Sequence, residues 1–178
     1  KMLQAGVAAR IAAAGVRRYG SAGEGLPAAV RRGGREATGT EPVSAYGTSE
    51  TIFLMFYSRG EGDALTLAPQ VEVRLPEGAD GSAPHRLWLR HPGVALGYWK
   101  RPEAERGSFD AGWFSPGDLF RRRGDAAFEF CGRDDDMMKI SGQWVSVLEI
   151  EQALISCAAG SVQQLAAVGY TRSDGLGS

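Results

Sequence analysis

The sequence has few of the residues from which covalent frameworks and metal sites are built. Cys131 and Cys157 are the only cysteines in 178 residues, and they form no CxxC pair. This count excludes a disulfide framework and favours a reducing compartment, so we expect the protein to be cytoplasmic. The two histidines, His85 and His91, flank a predicted strand, and we expect both at the surface.

Long apolar runs and an excess of one charge are also missing. The sequence contains no run of 18 apolar residues and no recognisable signal peptide, so we expect no membrane partner. Twenty basic and 21 acidic residues give a formal net charge of -1. This balance leaves no electrostatic footprint for nucleic acid, and the small arginine groups are interpreted as solvated surface.

Glycine, by contrast, is abundant. The 25 glycines are about twice the usual share of roughly 7%, which indicates many turns and close backbone approaches. The length suits one domain or slightly more. Because Lys1 already lies in a helical pattern and the end is rich in Ser and Gly, we expect a piece of a longer polypeptide.

The first third of the sequence alternates between helix and strand. Residues 2–14 predict a helix, and "VRRYGSAGEGLP" predicts a short strand that runs into a glycine turn. A second helix is predicted from Pro27 to about Arg35, because proline suits the first helical turn. "EPVSAYGTSE" predicts a strand that breaks at Gly47. This order is typical of an α/β layer.

From about residue 66 the apolar residues recur with period two. "VEVRL", "HRLWLRH", "GDLFRRR" and "AAFEFCG" predict half-buried antiparallel strands, with Gly124 and Asp125 in a hairpin turn between the last two. "SVLEIEQALISC" then predicts a helix with a capping box formed by Ser146 and Glu149, and "VQQLAAVGY" predicts a strand. The fold class is therefore mixed α/β, with a small antiparallel β subdomain and a second α+β unit after it.

Two turns carry side chains suited to nucleotide chemistry. Gly47 is followed by Thr48, Ser49 and Glu50. Hydroxyls and backbone N–H groups at such a turn can hold phosphate oxygens, and a neighbouring carboxylate can hold Mg²⁺. Asp118, after a glycine at the start of a strand, could accept hydrogen bonds from a ribose diol. Ordinary turns and helix caps show the same patterns, so both interpretations stay open.

The segment "CGRDDDMMKISG", residues 131–142, holds three adjacent aspartates. Adjacent side chains point in different directions and no histidine or cysteine completes a ligand set, so the segment is a poor metal site. A hydrated charge run is one interpretation. Its position between two structural units also suits a hinge.

Five stretches, in this order, resemble the adenylate-forming superfamily of acyl- and aryl-CoA ligases, luciferases and peptide-synthetase adenylation domains. They are "SAGEGLP", "YGTSE", "LWLRHPGVALGYWKRPE", "GWFSPGD" and "GRDDDMMKISGQWVSVLEIE", the last being most similar to benzoate-type CoA ligases. The resemblance implies an internal-to-C-terminal fragment. Residues 1–134 would be the C-terminal portion of the large AMP-binding domain, and residues 135–178 the hinge and the start of the C-terminal lid domain.

The resemblance implies an acid-thiol ligase. Such an enzyme converts a carboxylic acid and ATP into an acyl-adenylate and pyrophosphate, and then forms a thioester with CoA and releases AMP. The implied cofactors are ATP/AMP, Mg²⁺ and coenzyme A. The implied partners are a small carboxylic acid, aryl rather than fatty, and the remainder of the polypeptide; a homodimer is also compatible. The alternatives are a non-catalytic nucleotide-binding module and a luciferase-like or carrier-protein-dependent adenylating enzyme.

The resemblance assigns most site residues to the nucleotide and its metal. They are Ala22, Gly23 and Glu24 along the adenine, Tyr46 near the base with Gly47 and Thr48 in the same turn, Ser49 as a phosphate-contacting hydroxyl, Glu50 as the Mg²⁺ ligand, and Asp118 and Arg133 at the ribose. One departure is Pro116, which stands where the family usually has a threonine, so one hydroxyl is lost.

The remaining assignments concern the lid. Asp135 corresponds to the hinge, and Ser141 and Gly142 to the loop that approaches the CoA channel. The family's phosphate loop is expected before Lys1 and its catalytic lysine after Ser178. Lys139 is expected to be exposed and is not that lysine, so we expect the 178-residue chain alone to be inactive.

Three aromatic residues follow Glu50, namely Phe53, Phe56 and Tyr57. They could form the wall of an aromatic acid pocket, or they could belong to the core.

Overall fold

The computed structural model describes residues 7–23, 25–26, 28–58, 64–140, 143–158, 162 and 165–168. Within these ranges the helices are α1 (Val7–Ala13), α2 (Ala28–Thr38), α3 (Pro102–Glu105) and α4 (Val147–Cys157). The strands are β1 (Gly20–Ala22), β2 (Val43–Tyr46), β3 (Phe56–Ser58), β4 (Leu65–Leu67), β5 (Glu72–Arg74), β6 (His85–Arg86), β7 (Trp88–Arg90), β8 (Phe109–Asp110), β9 (Trp113–Phe114), β10 (Asp118–Arg122), β11 (Ala127–Arg133), β12 (Met137–Ile140) and β13 (Gln143–Ser146). Of the helices described, none has both the length and the apolar character needed to cross a bilayer.

A seven-stranded mixed sheet forms the centre of the molecule. Its strand order is β1-β2-β3-β4-β11-β10-β6. Strands β1 and β2 are parallel and are joined through α2, whereas the other neighbouring pairs are antiparallel. The mixed α/β class and the strand–helix–strand order predicted for the first third are therefore confirmed.

An aromatic core lies where β3, β10 and β11 come together. Phe56 stacks on Phe120 with ring centroids 5.0 Å apart and meets the ring of Phe128 edge-on at 5.6 Å. All three side chains are almost completely buried. Burying one such side chain stabilises the folded state by about 2 kcal/mol. This cluster therefore helps to hold in place the strands that carry the site.

A second, four-stranded antiparallel sheet has the order β5-β7-β9-β8. Arginine and tryptophan side chains pack together on this sheet: the guanidinium of Arg74 lies 5.4 Å from the ring centre of Trp88 and 4.9 Å from that of Trp113.

The prediction of one strand over "HRLWLRH" is wrong, since the segment divides at Leu87 into β6 and β7 in different sheets. Leu87 is completely buried where the chain changes sheet.

The surface position predicted for both histidines needs correction. His85 lies within β6 rather than beside a strand, and both His85 and His91 are half-buried. The Nδ1 atom of His91 accepts a hydrogen bond from the backbone N–H of Gly93 at 2.9 Å. That local turn draws the His91 ring towards the protein.

The predicted hairpin of β10 and β11 is confirmed, and it contains a bulge. Phe120 pairs with Phe130 and Leu119 with Gly132, so Cys131 has no partner across the hairpin. Gly132 has φ +104°, a conformation that other residues rarely adopt. The extra residue places Arg133 directly opposite Asp118, and a regular pairing would have placed Gly132 there.

Beyond β11, the hairpin of β12 and β13 leads into the predicted helix α4. The predicted capping box is absent: Ser146 precedes the helix, but its hydroxyl donates to the carbonyl of Cys131 at 3.1 Å instead. The strand predicted over residues 162–170 is not seen in its described residues, 162 and 165–168. Helix α4 contacts β11, and the domain boundary at residue 134 stays a prediction.

Candidate functional site

A cavity of about 510 Å³ opens at the ends of β1, β2, β10 and β11. It brings together eight of the residues assigned from the sequence, which come from four separate places in the chain. These are Gly23, Tyr46, Gly47, Thr48, Ser49, Glu50, Asp118 and Arg133. Residues far apart in sequence thus converge on one concave site, as is typical of small-molecule sites.

The turn at residues 47–50 is built by close backbone contacts. A Cβ atom on Gly47 would lie 2.6 Å from the carbonyl oxygen of Phe53, so only glycine fits. Thr51 is completely buried, and its hydroxyl oxygen accepts a hydrogen bond from the backbone N–H of Thr48 at 3.0 Å. The turn is therefore held rigidly behind the cavity wall.

Asp118 is the buried carboxylate of the site, with 6% of its surface exposed. It accepts a hydrogen bond from the hydroxyl of Tyr46, and the Nη1 atom of Arg133 lies 3.4 Å from its Oδ1 atom. Burial raises the pKa of Asp118, while Tyr46 and Arg133 oppose that rise by favouring the carboxylate. Burial and the neighbouring Asp118 strongly raise the pKa of Tyr46, which keeps its hydroxyl protonated as a donor.

Glu50 lies in the turn on the same cavity. Its Oε1 atom accepts a hydrogen bond of 2.6 Å from the hydroxyl of Tyr98. Partial burial alone would raise the pKa of Glu50, but the bond from Tyr98 and the nearby Thr48 hydroxyl bring that pKa below its usual value. Although it lies close to Glu50, the buried Thr48 hydroxyl makes no hydrogen bond of good geometry. Glu50 is therefore ionised near neutral pH.

The described part of the chain contains no cluster of three or more acidic, histidine or cysteine side chains that could hold a metal ion. A cation beside Glu50 would need further oxygen ligands from a bound molecule. Mg²⁺ suits such a site, since it is commonly held by one or two carboxylates together with substrate phosphates.

The adjacent aspartates after β11 have different partners. Asp134 accepts hydrogen bonds from Arg86, with Nη2 at 2.6 Å, and Asp135 accepts from Arg133, with Nε at 2.8 Å. The carboxylates of Asp134 and Asp135 therefore point towards different arginines. Arg133 bridges Asp118 and Asp135, and Asp135 also lines a neighbouring cavity of about 600 Å³.

The other predicted site residues lie away from the cavity or fall outside the residues that the structure describes. Ala22 pairs with Ala45 at the end of β1 but does not line the cavity. Glu24, Ser141 and Gly142 lie outside the described residues. Lys139 is exposed, as predicted, with its ammonium group 5.9 Å from the ring centre of Trp144.

Two of the three aromatic residues after Glu50 belong to the core. Phe56 is completely buried and Tyr57 packs against the same core. Phe53 is 56% exposed and stacks on His91 with ring centroids 5.2 Å apart. The core interpretation therefore holds for Phe56 and Tyr57.

Sequence reasoning missed two residues at the site. Arg31 was interpreted as solvated surface, but it is buried and lines the cavity, whereas its neighbour Arg32 is exposed. Tyr98, the partner of Glu50, lies in the "GYWK" segment. A helical position facing the cavity could have indicated Arg31, but nothing in the sequence pairs Tyr98 with a residue 48 positions away.

No protein-family model matches the chain. Two curated relatives match 98% of it: a 3-hydroxybenzoate–CoA ligase of Aromatoleum sp. (strain CIB), 38% identical, and a 3-hydroxybenzoate–CoA/4-hydroxybenzoate–CoA ligase of Thauera aromatica, 34% identical. The chain spans 35% of the length of each relative. Among solved structures, an anthranilate CoA ligase in complex with anthranoyl-AMP matches 90% of the chain with TM-score 0.79 and 30% identity, and the chain covers 32% of it.

The chain therefore belongs to the adenylate-forming superfamily. Its relatives within that superfamily include CoA ligases of benzoate, hydroxybenzoates and anthranilate.

Proposed function

We propose that this chain is the nucleotide-side part of an ATP-dependent ligase that joins an aryl carboxylic acid to CoA. The observation that carries the proposal is the convergence of Glu50, Asp118 and Arg133 on one cavity together with the turn at residues 47–50. The carboxylates of Glu50 and Asp118 have different surroundings, since Glu50 has a lowered pKa and Asp118 a raised one. The two side chains therefore suit different tasks.

The residues of the cavity fit a nucleotide and its metal. Asp118 would accept hydrogen bonds from the ribose hydroxyls, with Arg133 beside it, and Glu50 would hold Mg²⁺. The buried hydroxyl of Thr48, which makes no hydrogen bond of good geometry, and the hydroxyl of Ser49 would donate to phosphate oxygens. When bound, ATP supplies the adenylyl group that activates the carboxylic acid.

The lid assignments belong to the same proposal. Asp135 would be the pivot about which residues 135–178 rotate between the two half-reactions, and Ser141 and Gly142 would approach the CoA channel. The glycine would leave room for a thin pantetheine arm. A cytoplasmic location and a homodimer are compatible with this function.

The acid is proposed to be aryl because the two curated relatives that match 98% of the chain are both named for hydroxybenzoates. The test uses the intact ligase that contains this chain, with ATP, Mg²⁺ and a panel of 3-hydroxybenzoate, benzoate, anthranilate and a short fatty acid. CoA and a carrier protein are offered separately as acceptors, and thioesters are measured by mass spectrometry.

The expected result is an aryl-CoA thioester that is lost in Glu50→Gln. No adenylate with any acid would support the non-catalytic nucleotide-binding alternative. An adenylate that is transferred only to the carrier protein would support the carrier-protein-dependent one. The 178-residue chain alone, as a negative control, is expected to form no adenylate.

A further inference from the structure

The loop before α3 contacts Glu50 from outside the cavity wall. The backbone N–H of Ala95 donates to the carbonyl of Glu50 at 2.7 Å, and the hydroxyl of Tyr98 donates to its Oε1 atom at 2.6 Å. One loop therefore holds both the main chain and the carboxylate of this residue. Tyr98 itself is not part of the cavity lining.

Tyr98 is in turn held by its own neighbours. Its backbone N–H donates to the carboxylate of Glu105 at 2.8 Å, and its ring meets that of Phe109 edge-on, with centroids 5.3 Å apart. Gly97 has φ +153°, and a Cβ there would lie 2.3 Å from the same Glu105 oxygen. The hydroxyl is thus a preset donor. Burial, together with Glu50, raises the pKa of Tyr98 to about 12, so it stays protonated near neutral pH.

We propose that Tyr98 is a positioning residue for Glu50, which fixes one carboxylate oxygen by a hydrogen bond and leaves the other available to a divalent cation. Hydrogen bonds to ligating carboxylates orient them, and the loss of such a partner typically weakens metal affinity by about 10- to 100-fold. The inference rests on the proposed function, in which Glu50 holds the metal.

The test measures cation binding rather than turnover. Mn²⁺ with ATP is titrated into the intact ligase and its bound fraction is followed by electron paramagnetic resonance, for the wild type, Tyr98→Phe, Glu50→Gln and Tyr57→Phe. Tyr98→Phe retains the ring contact with Phe109. Tyr57→Phe is the matched control, because among the described residues the Tyr57 hydroxyl makes no hydrogen bond.

Tyr98→Phe is expected to weaken Mn²⁺ binding about 10-fold, and Tyr57→Phe to leave it unchanged. Comparison with Tyr57→Phe separates positioning from general damage, because of these two tyrosines only Tyr98 donates a hydrogen bond to Glu50.

Three outcomes would contradict the account at different points. Unchanged Mn²⁺ binding in Tyr98→Phe, with weakened binding in Glu50→Gln, would overturn the role of Tyr98 alone. Equal weakening in Tyr98→Phe and Tyr57→Phe would show a merely structural effect and also overturn it. Unchanged binding in Glu50→Gln would overturn the metal role of Glu50 in the proposed function, and the role of Tyr98 with it.

Discussion

Gly47 gives the most sharply defined mutational prediction. In Gly47→Ala, the new Cβ would lie 2.6 Å from the carbonyl oxygen of Phe53, 3.4 Å from its carbonyl carbon and 3.5 Å from the Cα atom of Leu54. To lengthen the contact between this Cβ and the carbonyl oxygen to about 3.3 Å, the two backbone segments would have to separate by about 0.7 Å. A hydrogen bond of 2.8 Å from the backbone N–H of Met55 to the carbonyl of Tyr46 holds those segments together. Overpacking of this kind costs about 1–3 kcal/mol.

The assay is urea unfolding of the chain, with Gly20→Ala as the matched control. A Cβ on Gly20 would meet only the carbonyl oxygen of Val43 at 3.6 Å, which is an ordinary contact. We expect Gly47→Ala to lower the free energy of unfolding by about 2 kcal/mol, and Gly20→Ala to change it by less than about 0.5 kcal/mol. If both variants are equally stable, the rigid-turn argument is refuted.

Two further predictions concern Asp118 and the hinge in the intact ligase. In Tyr46→Phe, Asp118 loses a hydrogen bond that lowers its pKa. The affinity for AMP, measured by calorimetry at a series of pH values, should therefore begin to fall at a higher pH than in the wild type. An unchanged pH profile would contradict this. Asp135→Pro should spare pyrophosphate exchange and impair thioester formation. Asp135→Ala, which removes only the ion pair with Arg133, should leave both half-reactions nearly intact. Equal loss of both half-reactions in Asp135→Pro would remove the hinge assignment.

Local pattern was sufficient for much of the fold. The period-two alternation and the Gly124-Asp125 turn predicted the hairpin of β10 and β11, because both signals depend on near neighbours. The segment "SVLEIEQALISC" likewise predicted α4 from its own residues. It was the family resemblance, and no single motif, that predicted that Glu50 and Asp118 would lie at one site.

Features that depend on tertiary contacts were not predictable in this way. The bulge at Cys131, which brings Arg133 opposite Asp118, leaves no mark on the alternation pattern. The Ser146 hydroxyl bonds to a carbonyl 15 residues away instead of capping α4. Arg31 belongs to an arginine pair that resembles solvated surface, and only the packing of α2 shows that it is buried.

The central claim is that Asp118 recognises the ribose of a nucleotide, and isothermal titration of the intact ligase with AMP and with 2′,3′-dideoxy-AMP tests it most directly. A buried carboxylate that loses its hydrogen-bond donors forfeits about 1.5–3 kcal/mol, or about 10- to 100-fold in affinity. We expect the wild type to prefer AMP by this factor and Asp118→Ala to lose the preference. Equal affinity of the wild type for the two nucleotides would contradict it.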